Sequence, residues 1–391
     1  MGDIRSVVEW LTDGARSAVR AEDLVRELCH RMVGAGLPLW RVAVIVNTLH
    51  PDVIGRAVIW QADTGVKVTA ATYDFLETDE YRSSPVVAVR DSLQPIRRHL
   101  ANWDCPDDFP LVKELRAEGA TDYAAIPLVF SDGTVHVATW STREPGGFTS
   151  QQLADLDAVI APLTRVAEIR ALRRTATNLL NTYVGRQAGE RILMGEIRRG
   201  FVEEIRAIIW LSDMRGFTAL SERLAPQELV DLLNRYFDCQ VPPILKHGGE
   251  VLKFIGDGLL AIFPLAGNGD DAGEVCRRAL AAARETRALI EALDKPAGDS
   301  EGAIRFGLAL HVGQVQYGNI GGGNRLDFTC IGPAVNLAAR LEKVAAQFGQ
   351  SIVGSAEFAA HLPQEFTQLG ECTVAGFSAP QAVFGLTDPS Q

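Results

Sequence analysis

The second half of the chain alternates apolar, strand-like segments with segments of helical periodicity, and this order restricts the folds it can adopt. From residue 201 onward the strand candidates are AIIWLSD, EVLKF, LLAIF and RFGLALHVG. Helical periodicity runs through LVDLLNRYF, through VCRRALAAARETRALIEAL and again after Gly332. The order βαββαβ predicts an α/β (α+β) domain with its helices on one face of a sheet. Pro242 and Pro243 predict a break where the first long helix would otherwise continue.

Two aspartates lie at the ends of predicted strands. Asp213 ends AIIWLSD, and Asp257 lies in the turn Ile255-Gly256-Asp257-Gly258 between EVLKF and LLAIF. Taken singly, Asp213 is better explained as a helix cap and Asp257 as an ordinary turn residue. In a ferredoxin-like βαββαβ sheet, however, the first strand and this hairpin are neighbours, so both carboxylates can meet at one edge. Two hard oxygen ligands, completed by water and phosphate oxygens, suit Mg²⁺.

A polar pair is predicted on the helix that follows Gly332. Pro333 fits the first turn of this helix, and Asn336 and Arg340 are four residues apart and therefore share one face. An amide and a guanidinium on one face can hold a ribose and a phosphate. A solvent-exposed polar face is the alternative interpretation, and the more common one for a lone pair.

Four segments together resemble the catalytic domain of the class III nucleotidyl cyclases, in family order and at family spacing. They are LSDMRGFT, GGEVLKFIGDGLLAIF, HVGQVQYGNIG and DFTCIGPAVNLAARLE, within about residues 200–386. The resemblance implies an adenylyl cyclase domain over 200–391 that converts ATP into 3′,5′-cyclic AMP and pyrophosphate. It implies two Mg²⁺ (or Mn²⁺) ions per active site and in-line attack of the ribose 3′-hydroxyl on the α-phosphorus.

The resemblance also assigns roles to individual residues. The metal ligands would be Asp213, Asp257 and the carbonyl of Met214. The catalytic residues would be Asn336, which orients the ribose, and Arg340, which contacts the α-phosphate. The substrate-binding residues would be Lys253, Thr329, Phe217 and Thr218. Lys253 would read the purine ring with Thr329, which lies seven residues before Asn336.

Adenine is the purine that these two residues favour. Lysine is only a donor, so it can bond the acceptor N1 of adenine but not the protonated N1 of guanine, and a threonine oxygen can accept from the adenine amino group. Guanylyl cyclases of this family tend to carry Glu and Cys at these positions. Cys330 is adjacent to Thr329, but the spacing from Asn336 selects Thr329.

The family's active sites combine metal residues from one subunit with base-reading residues from another, so a chain with both sets predicts a head-to-tail homodimer. One position departs from the family, because CTVAGFSAP has Ala375 where a lysine often precedes the glycine. The alternatives are therefore a catalytically weak or degenerate nucleotide-binding module, or a guanylyl cyclase. A diguanylate cyclase is disfavoured, because Gly248-Gly249-Glu250 resembles its turn only superficially.

A linker over 152–199 begins with one long amphipathic helix, 152–184. Its apolar positions are Leu156, Val159, Leu163, Val166, Ile169, Leu172, Ala176, Leu179 and Tyr183. This spacing predicts a coiled-coil seam with one stammer between Val166 and Leu172. A helix packed on its own domain explains the pattern equally well.

The N-terminal segment 1–151 is predicted to be mixed α/β. A helix at 21–32 precedes strands RVAVIVNTL and GRAVIWQ, and AAIPLVF and TVHVATWS flank the turn Ser131-Asp132-Gly133. The next helix is predicted to start at Thr149-Ser150. This order is similar to a GAF-type sensor domain, by analogy rather than by motif. We expect either a sensor of an unknown small-molecule or protein input, or a structural dimerisation domain.

Composition narrows the class of partner. The net charge of −11, from 49 acidic and 38 basic residues, disfavours nucleic acid as the main partner. Six scattered cysteines without a CxxC pair predict free thiols in a reducing compartment. No apolar run approaches the roughly 20 residues that a membrane span needs, and charges interrupt the N-terminus throughout. We therefore expect a cytoplasmic protein.

Overall fold

The computed structural model describes residues 3–265, 271–293, 304–323, 325–373 and 379–387. The chain divides into two compact units, Met1–Thr182 and Tyr183–Gln391. The limits predicted for the linker, 152 and 199, stay predictions. In the described part of the chain, no helix has both the length and the apolar character that a membrane crossing requires.

The first unit is built on one six-stranded sheet. Its helices are α1 (Ile4–Thr12), α2 (Ala21–Gly34), α3 (Asp79–Arg82), α4 (Pro85–Ser92), α5 (Pro110–Ala117) and α6 (Ser150–Val184), of which α6 ends in the second unit. Its strands are β1 (Arg41–Asn47), β2 (Gly55–Gln61), β3 (Gly65–Ala71), β4 (Ile96–Arg98), β5 (Asp122–Val129) and β6 (Val135–Thr142). The strand order is β3-β2-β1-β6-β5-β4, and all neighbours are antiparallel.

Helices cover both faces of this sheet. Residues of α1, α2 and α6 form one apolar core with Trp60 and Trp140, while residues of α4 and α5 form another with Trp40 and Tyr123. The predicted helix 21–32 and the four predicted strands are present as α2, β1, β2, β5 and β6. The predicted start of α6 is also present: Thr149 Oγ1 accepts from the Gln152 amide at 3.2 Å, and Gln152 Oε1 accepts from the Thr149 amide at 2.9 Å.

The apolar seam of α6 has two parts with different surroundings. Leu156, Val159 and Leu163 are fully buried in the core of the first unit, so this part packs on its own domain. Ile169 and Leu172 are 67% and 71% exposed. A coiled coil therefore stays a prediction for the second part of the helix only.

The second unit is built on a larger sheet. Its helices are α7 (Arg186–Leu193), α8 (Phe217–Arg223), α9 (Pro226–Asp238), α10 (Val241–Lys246), α11 (Ala272–Leu293), α12 (Pro333–Ala345) and α13 (Ala356–Ala359). Its strands are β7 (Val202–Met214), β8 (Glu250–Ile255), β9 (Gly258–Pro264), β10 (Phe306–Gly322), β11 (Arg325–Ile331), β12 (Ile352–Ser355), β13 (Phe366–Cys372) and β14 (Gln381–Leu386). The order is β13-β14-β12-β10-β7-β9-β8, and β11 pairs with β10.

The predicted βαββαβ order is present within this sheet. Strands β7, β8, β9 and β10 stand in the order β10-β7-β9-β8, and each neighbouring pair is antiparallel. The predicted helix break is present too, because α9 ends at Asp238 and Pro242 and Pro243 lie in the first turn of α10. Ser212 of β7 pairs with Leu259 of β9. This register places the end of β7 beside the β8–β9 turn.

Candidate active site

Asp213 and Asp257 meet at one edge of the second sheet. Asp213 is the penultimate residue of β7, and Asp257 lies in the two-residue turn that joins β8 to β9. The close approach depends on Gly258: a side-chain carbon there would lie 3.0 Å from the Ser212 carbonyl oxygen and 3.1 Å from Asp213 Oδ1. A side chain at 258 would therefore push the turn away from Asp213.

The electrostatics of the site confirm that the two carboxylates are close. Burial raises the pKa of Asp213 to about 6, and the negative charge of Asp257 adds to the rise. The backbone amide of Met214 opposes it by hydrogen-bonding the carboxylate. Burial also raises the pKa of Glu342 to about 7, with a contribution from Asp213, while Arg215 opposes the rise. The edge of the sheet is therefore rich in negative charge.

These residues fit a divalent cation of the hard, oxygen-preferring class. Carboxylates and backbone carbonyls are the ligands that Mg²⁺ takes in proteins, usually with several waters and substrate phosphates. A bound cation would relieve the repulsion that raises the pKa of Asp213. Within the described residues, no group of three or more histidine, cysteine, aspartate or glutamate side chains could hold a metal ion. A Mg²⁺ ion held by Asp213 and Asp257 would therefore take its other ligands from the backbone, water or phosphate oxygens.

Lys253 makes a contact that the sequence analysis did not predict. Its ammonium donates to Asp327 Oδ2 at 2.6 Å, joining β8 to β11. Asp327 is exposed and Lys253 is half-buried, so solvent reaches the pair. Asp327 lies two residues before Thr329 and thus on the same face of the strand. A prediction of β11 as a strand would have placed Asp327 and Thr329 on one face, but not Asp327 beside Lys253.

Thr329 and Cys330 lie on opposite faces of β11. Thr329 is 3% exposed, and its Oγ1 has no hydrogen-bond partner among the described residues. Cys330 packs in a core with Tyr317 and Phe328, and burial raises its pKa to about 11. A buried hydroxyl without a partner has lost its hydration without compensation, and the hydroxyls of Thr139, Ser141 and Thr286 are in the same state. A molecule bound against β11 would supply Thr329 with a partner.

Two further predicted residues lie on α8. Gly216 has a φ of +76°, the left-handed region that glycine tolerates, and α8 begins directly after it. Phe217 is half-buried and packs against the main core of the unit. Thr218 is exposed. These two residues therefore lie just beyond the end of β7, after Asp213 and Met214.

Asn336 and Arg340 lie on the exposed face of α12, as their spacing predicts. Leu337 and Leu341 of the same helix are buried. Among the described residues, the side chains of Asn336 and Arg340 take part in no hydrogen bond or ion pair. No such contact in this part of the chain joins the Asp213–Asp257 pair to Lys253 or Thr329 either. Ala375 lies outside the described residues.

The match to a protein family covers the part of the chain that holds all these residues. Residues 203–386 match the model described as the adenylate and guanylate cyclase catalytic domain. Residues 203–386 are a class III cyclase catalytic domain. The match spans just under half of the 391 residues, and every predicted site residue lies inside it.

Curated relatives of this chain include two adenylate cyclases. Adenylate cyclase 1 of Rhizobium meliloti (strain 1021) is 29% identical over 289 residues, which cover 70% of this chain and 42% of the relative. An adenylate cyclase of Anabaena cylindrica is 33% identical over 162 residues, 40% of this chain and 31% of the relative. The chain thus spans less than half the length of either. The crystal structure of the adenylyl cyclase CyaB from P. aeruginosa has a TM-score of 0.41 at 29% identity, covering 48% of this chain and 96% of that chain.

Proposed function

We propose that this chain is an adenylyl cyclase that converts ATP into 3′,5′-cyclic AMP and pyrophosphate. The observation that carries the proposal is the buried Thr329 hydroxyl, which has no hydrogen-bond partner among the described residues. It lies on the strand face that also carries Asp327, the partner of Lys253. The names of the relatives from Rhizobium meliloti and Anabaena cylindrica agree with this activity.

The purine would be read by one donor and one acceptor. The Lys253 ammonium can only donate, so it suits the acceptor N1 of adenine. The Thr329 oxygen can accept from the adenine amino group, which would satisfy a buried polar atom. Guanine has a proton at N1, which would face the lysine donor, and a carbonyl in place of the amino group, to which the threonine hydroxyl would have to donate instead of accept. Asp327 would hold the ammonium in place until the purine binds.

The phosphates and ribose would be held by the remaining residues. Asp213, Asp257 and the Met214 carbonyl would hold Mg²⁺ or Mn²⁺, two ions per site. When bound, such ions lower the pKa of a coordinated hydroxyl and neutralise phosphate charge. Phe217 and Thr218, at the start of α8, would line the phosphate side.

The exposed pair on α12 would complete the chemistry. The Asn336 amide would fix the ribose, so that its 3′-oxygen lies in line with the bond to the leaving pyrophosphate. The Arg340 guanidinium would stabilise the negative charge that develops at the α-phosphate. Both side chains lack partners among the described residues, so they are free to bind substrate.

We infer active sites that two chains share, since no hydrogen bond or ion pair among the described residues joins the carboxylate pair to Lys253, Thr329, Asn336 or Arg340. In a head-to-tail homodimer, the carboxylate pair of one chain would face Lys253, Thr329, Asn336 and Arg340 of the other, forming two equivalent sites. The first unit would regulate this arrangement through α6, which leaves the first unit and ends at Val184.

Mixing two inactive variants tests the shared site. Asp257→Ala and Arg340→Ala should each lower cyclic AMP formation by at least about a hundredfold, because each removes a principal electrostatic element. Mixed in equal amounts and allowed to exchange subunits, they should regain up to about a quarter of the wild-type rate per chain, since one site of each heterodimer keeps both residues.

The matched control for the mixing experiment is Arg199→Ala, at an exposed arginine outside the matched domain. By itself, this variant should form cyclic AMP at the wild-type rate. Mixed with an equal amount of Arg340→Ala, it should give only the activity that the same amount of Arg199→Ala gives on its own. Full activity in either single variant would contradict the assigned roles. Inactivity of the mixture, with heterodimers detected by mass spectrometry, would contradict the shared site.

A further inference from the structure

A cavity in the first unit, away from the cyclase domain, has the composition of a ligand site. It has a volume of about 230 Å³ and lies between strands β1, β2 and β3 and helices α2 and α6. Its apolar lining includes Leu24, Val25, Val44, Val58 and Val68. At roughly 30 Å³ per water molecule, it has space for a body of about eight water volumes. A small organic molecule therefore fits it.

Arg56 interrupts the apolar face of β2 that lines the cavity. It alternates with Val58 and Trp60, both of which are buried in the core on this face. The Arg56 Nε atom is buried without a hydrogen-bond partner. Among the described residues, its guanidinium takes part in no ion pair. An arginine at such a position is costly unless something pairs with it.

A second arginine, the exposed Arg174 of α6, lines the same cavity. Burial lowers its pKa, the positive charge of Arg56 lowers it further, and Glu22 opposes the change. The Glu22 carboxylate also forms an ion pair with Arg20, whose Nε lies 3.4 Å from Glu22 Oε1. Arg174 likewise has no ion pair in the described part of the chain. The two guanidinium groups therefore form a positive site that Glu22 neutralises only in part.

Arg170, one turn earlier on α6, has a structural role that its hydrogen bonds explain. Its guanidinium donates to the backbone carbonyls of Ala15, Ala18, Val19 and Arg20. These bonds tie α6 to the loop before α2. Arg56 makes no comparable contacts although it is half-buried, so packing alone does not explain its position. Arg174 is exposed to solvent and makes none either.

We propose that this cavity binds a small amphipathic carboxylate, with its carboxylate between Arg56 and Arg174 and its apolar body against the valine and leucine side chains. Planar guanidinium groups match a carboxylate geometrically, and the bonds are charge-assisted. The single charged group and the apolar body follow from the lining, in which the guanidinium groups accompany a majority of apolar side chains. A bound carboxylate would join β2 to α6, the helix that leads into the second unit.

The test uses the full-length protein and straight-chain carboxylates from butanoate to decanoate, titrated by calorimetry without nucleotide. At least one member should bind, and its neutral amide should bind at least tenfold more weakly. Hydrogen exchange in a peptide spanning 166–178 should slow on binding, because the ligand ties α6 to the sheet. Since no turnover is measured, the result is independent of the proposed cyclase activity.

Two variants and a matched control locate the site. Arg56→Gln and Arg174→Gln should each weaken binding at least tenfold, while Arg173→Gln, at an exposed arginine outside the cavity, should leave it unchanged. Circular dichroism establishes that each variant is folded. The proposal is overturned if no carboxylate of the series binds, if the amide binds as tightly, if inorganic phosphate binds as tightly, or if the arginine variants bind like the wild type.

Discussion

Replacing Asp257 by asparagine should stabilise the second unit in the absence of divalent cations and greatly reduce its stabilisation by them. Asp213, half-buried beside Asp257, has its pKa raised from 3.8 to about 6. Because the folded pKa is raised, only the folded state holds this proton between about pH 4 and 6. The stability of the unit therefore falls as the pH rises through that window, and the full penalty applies at pH 7.

The magnitude follows from the size of the shift. A rise of about two pKa units corresponds to about 3 kcal/mol. Burial is the larger cause and Asp257 the second, so we assign about 1 kcal/mol to the charge that Asp257→Asn removes. At pH 7 with a chelator, the variant should thus be about 1 kcal/mol more stable than the wild type. Mn²⁺ should stabilise the wild type by about 2.7 kcal/mol at a hundred times its Kd and the variant much less.

Hydrogen exchange of the β7 amides at increasing urea concentrations measures this local stability. Asp231→Asn is the matched control, because Asp231 is an exposed aspartate of α9, and it should respond to the chelator and to Mn²⁺ as the wild type does. A variant less stable than the wild type in chelator would refute the reasoning, and so would equal stabilisation of both by Mn²⁺.

Three further perturbations test other parts of the molecule. Lowering the pH from 6.5 to 4 should destabilise the first unit by on the order of 3 kcal/mol, because burial lowers the pKa of His136 to about 4 while the unfolded chain takes up the proton near 6.5. His136→Gln should remove most of this dependence in urea titrations, and an unchanged pH profile would contradict it. Asp122→Ala should lower the free energy of unfolding by about 3 kcal/mol in the same titrations, because Asp122 is fully buried and accepts hydrogen bonds from Arg97 and the Phe148 amide. A decrease below about 1 kcal/mol would contradict this role of Asp122. Thr329→Val should leave the thermal stability unchanged or slightly higher, because the lost hydroxyl has no partner among the described residues, yet raise the KM for ATP about tenfold; an unchanged KM would remove Thr329 from purine reading.

Local patterns predicted the parts of the fold that depend on them. The apolar alternation of GRAVIWQ identified β2 to the residue, and the prolines at 242 and 243 identified the break before α10. Strands β3 and β11 were not predicted, because β3 is mostly exposed on both faces and the first part of β11 is exposed as well. Such strands are held by pairing with a neighbour, which periodicity in one segment does not reveal.

The contacts of the active site were also predicted only in part. The approach of Asp213 to Asp257 was predicted from the strand order, which is a non-local inference but one with few alternatives. The contact of Lys253 with Asp327 depends on the register between β10 and β11 and on their position against β8, and no sequence spacing encodes it. Glu342 was missed for a related reason: it follows Leu341 on the buried side of α12, where a core residue is the ordinary expectation.

Identifying the product formed from an equimolar mixture of ATP and GTP is the most direct test of the central claim. The purified chain, with Mg²⁺ or Mn²⁺, should form 3′,5′-cyclic AMP and pyrophosphate in equal amounts, as measured by chromatography with mass detection. Asp257→Ala should form at least about a hundredfold less, and Asp231→Ala should match the wild type. Cyclic GMP as the main product would contradict the selection of adenine by Lys253 and Thr329. The absence of a cyclic nucleotide from either substrate would contradict the proposal that the chain is a nucleotidyl cyclase.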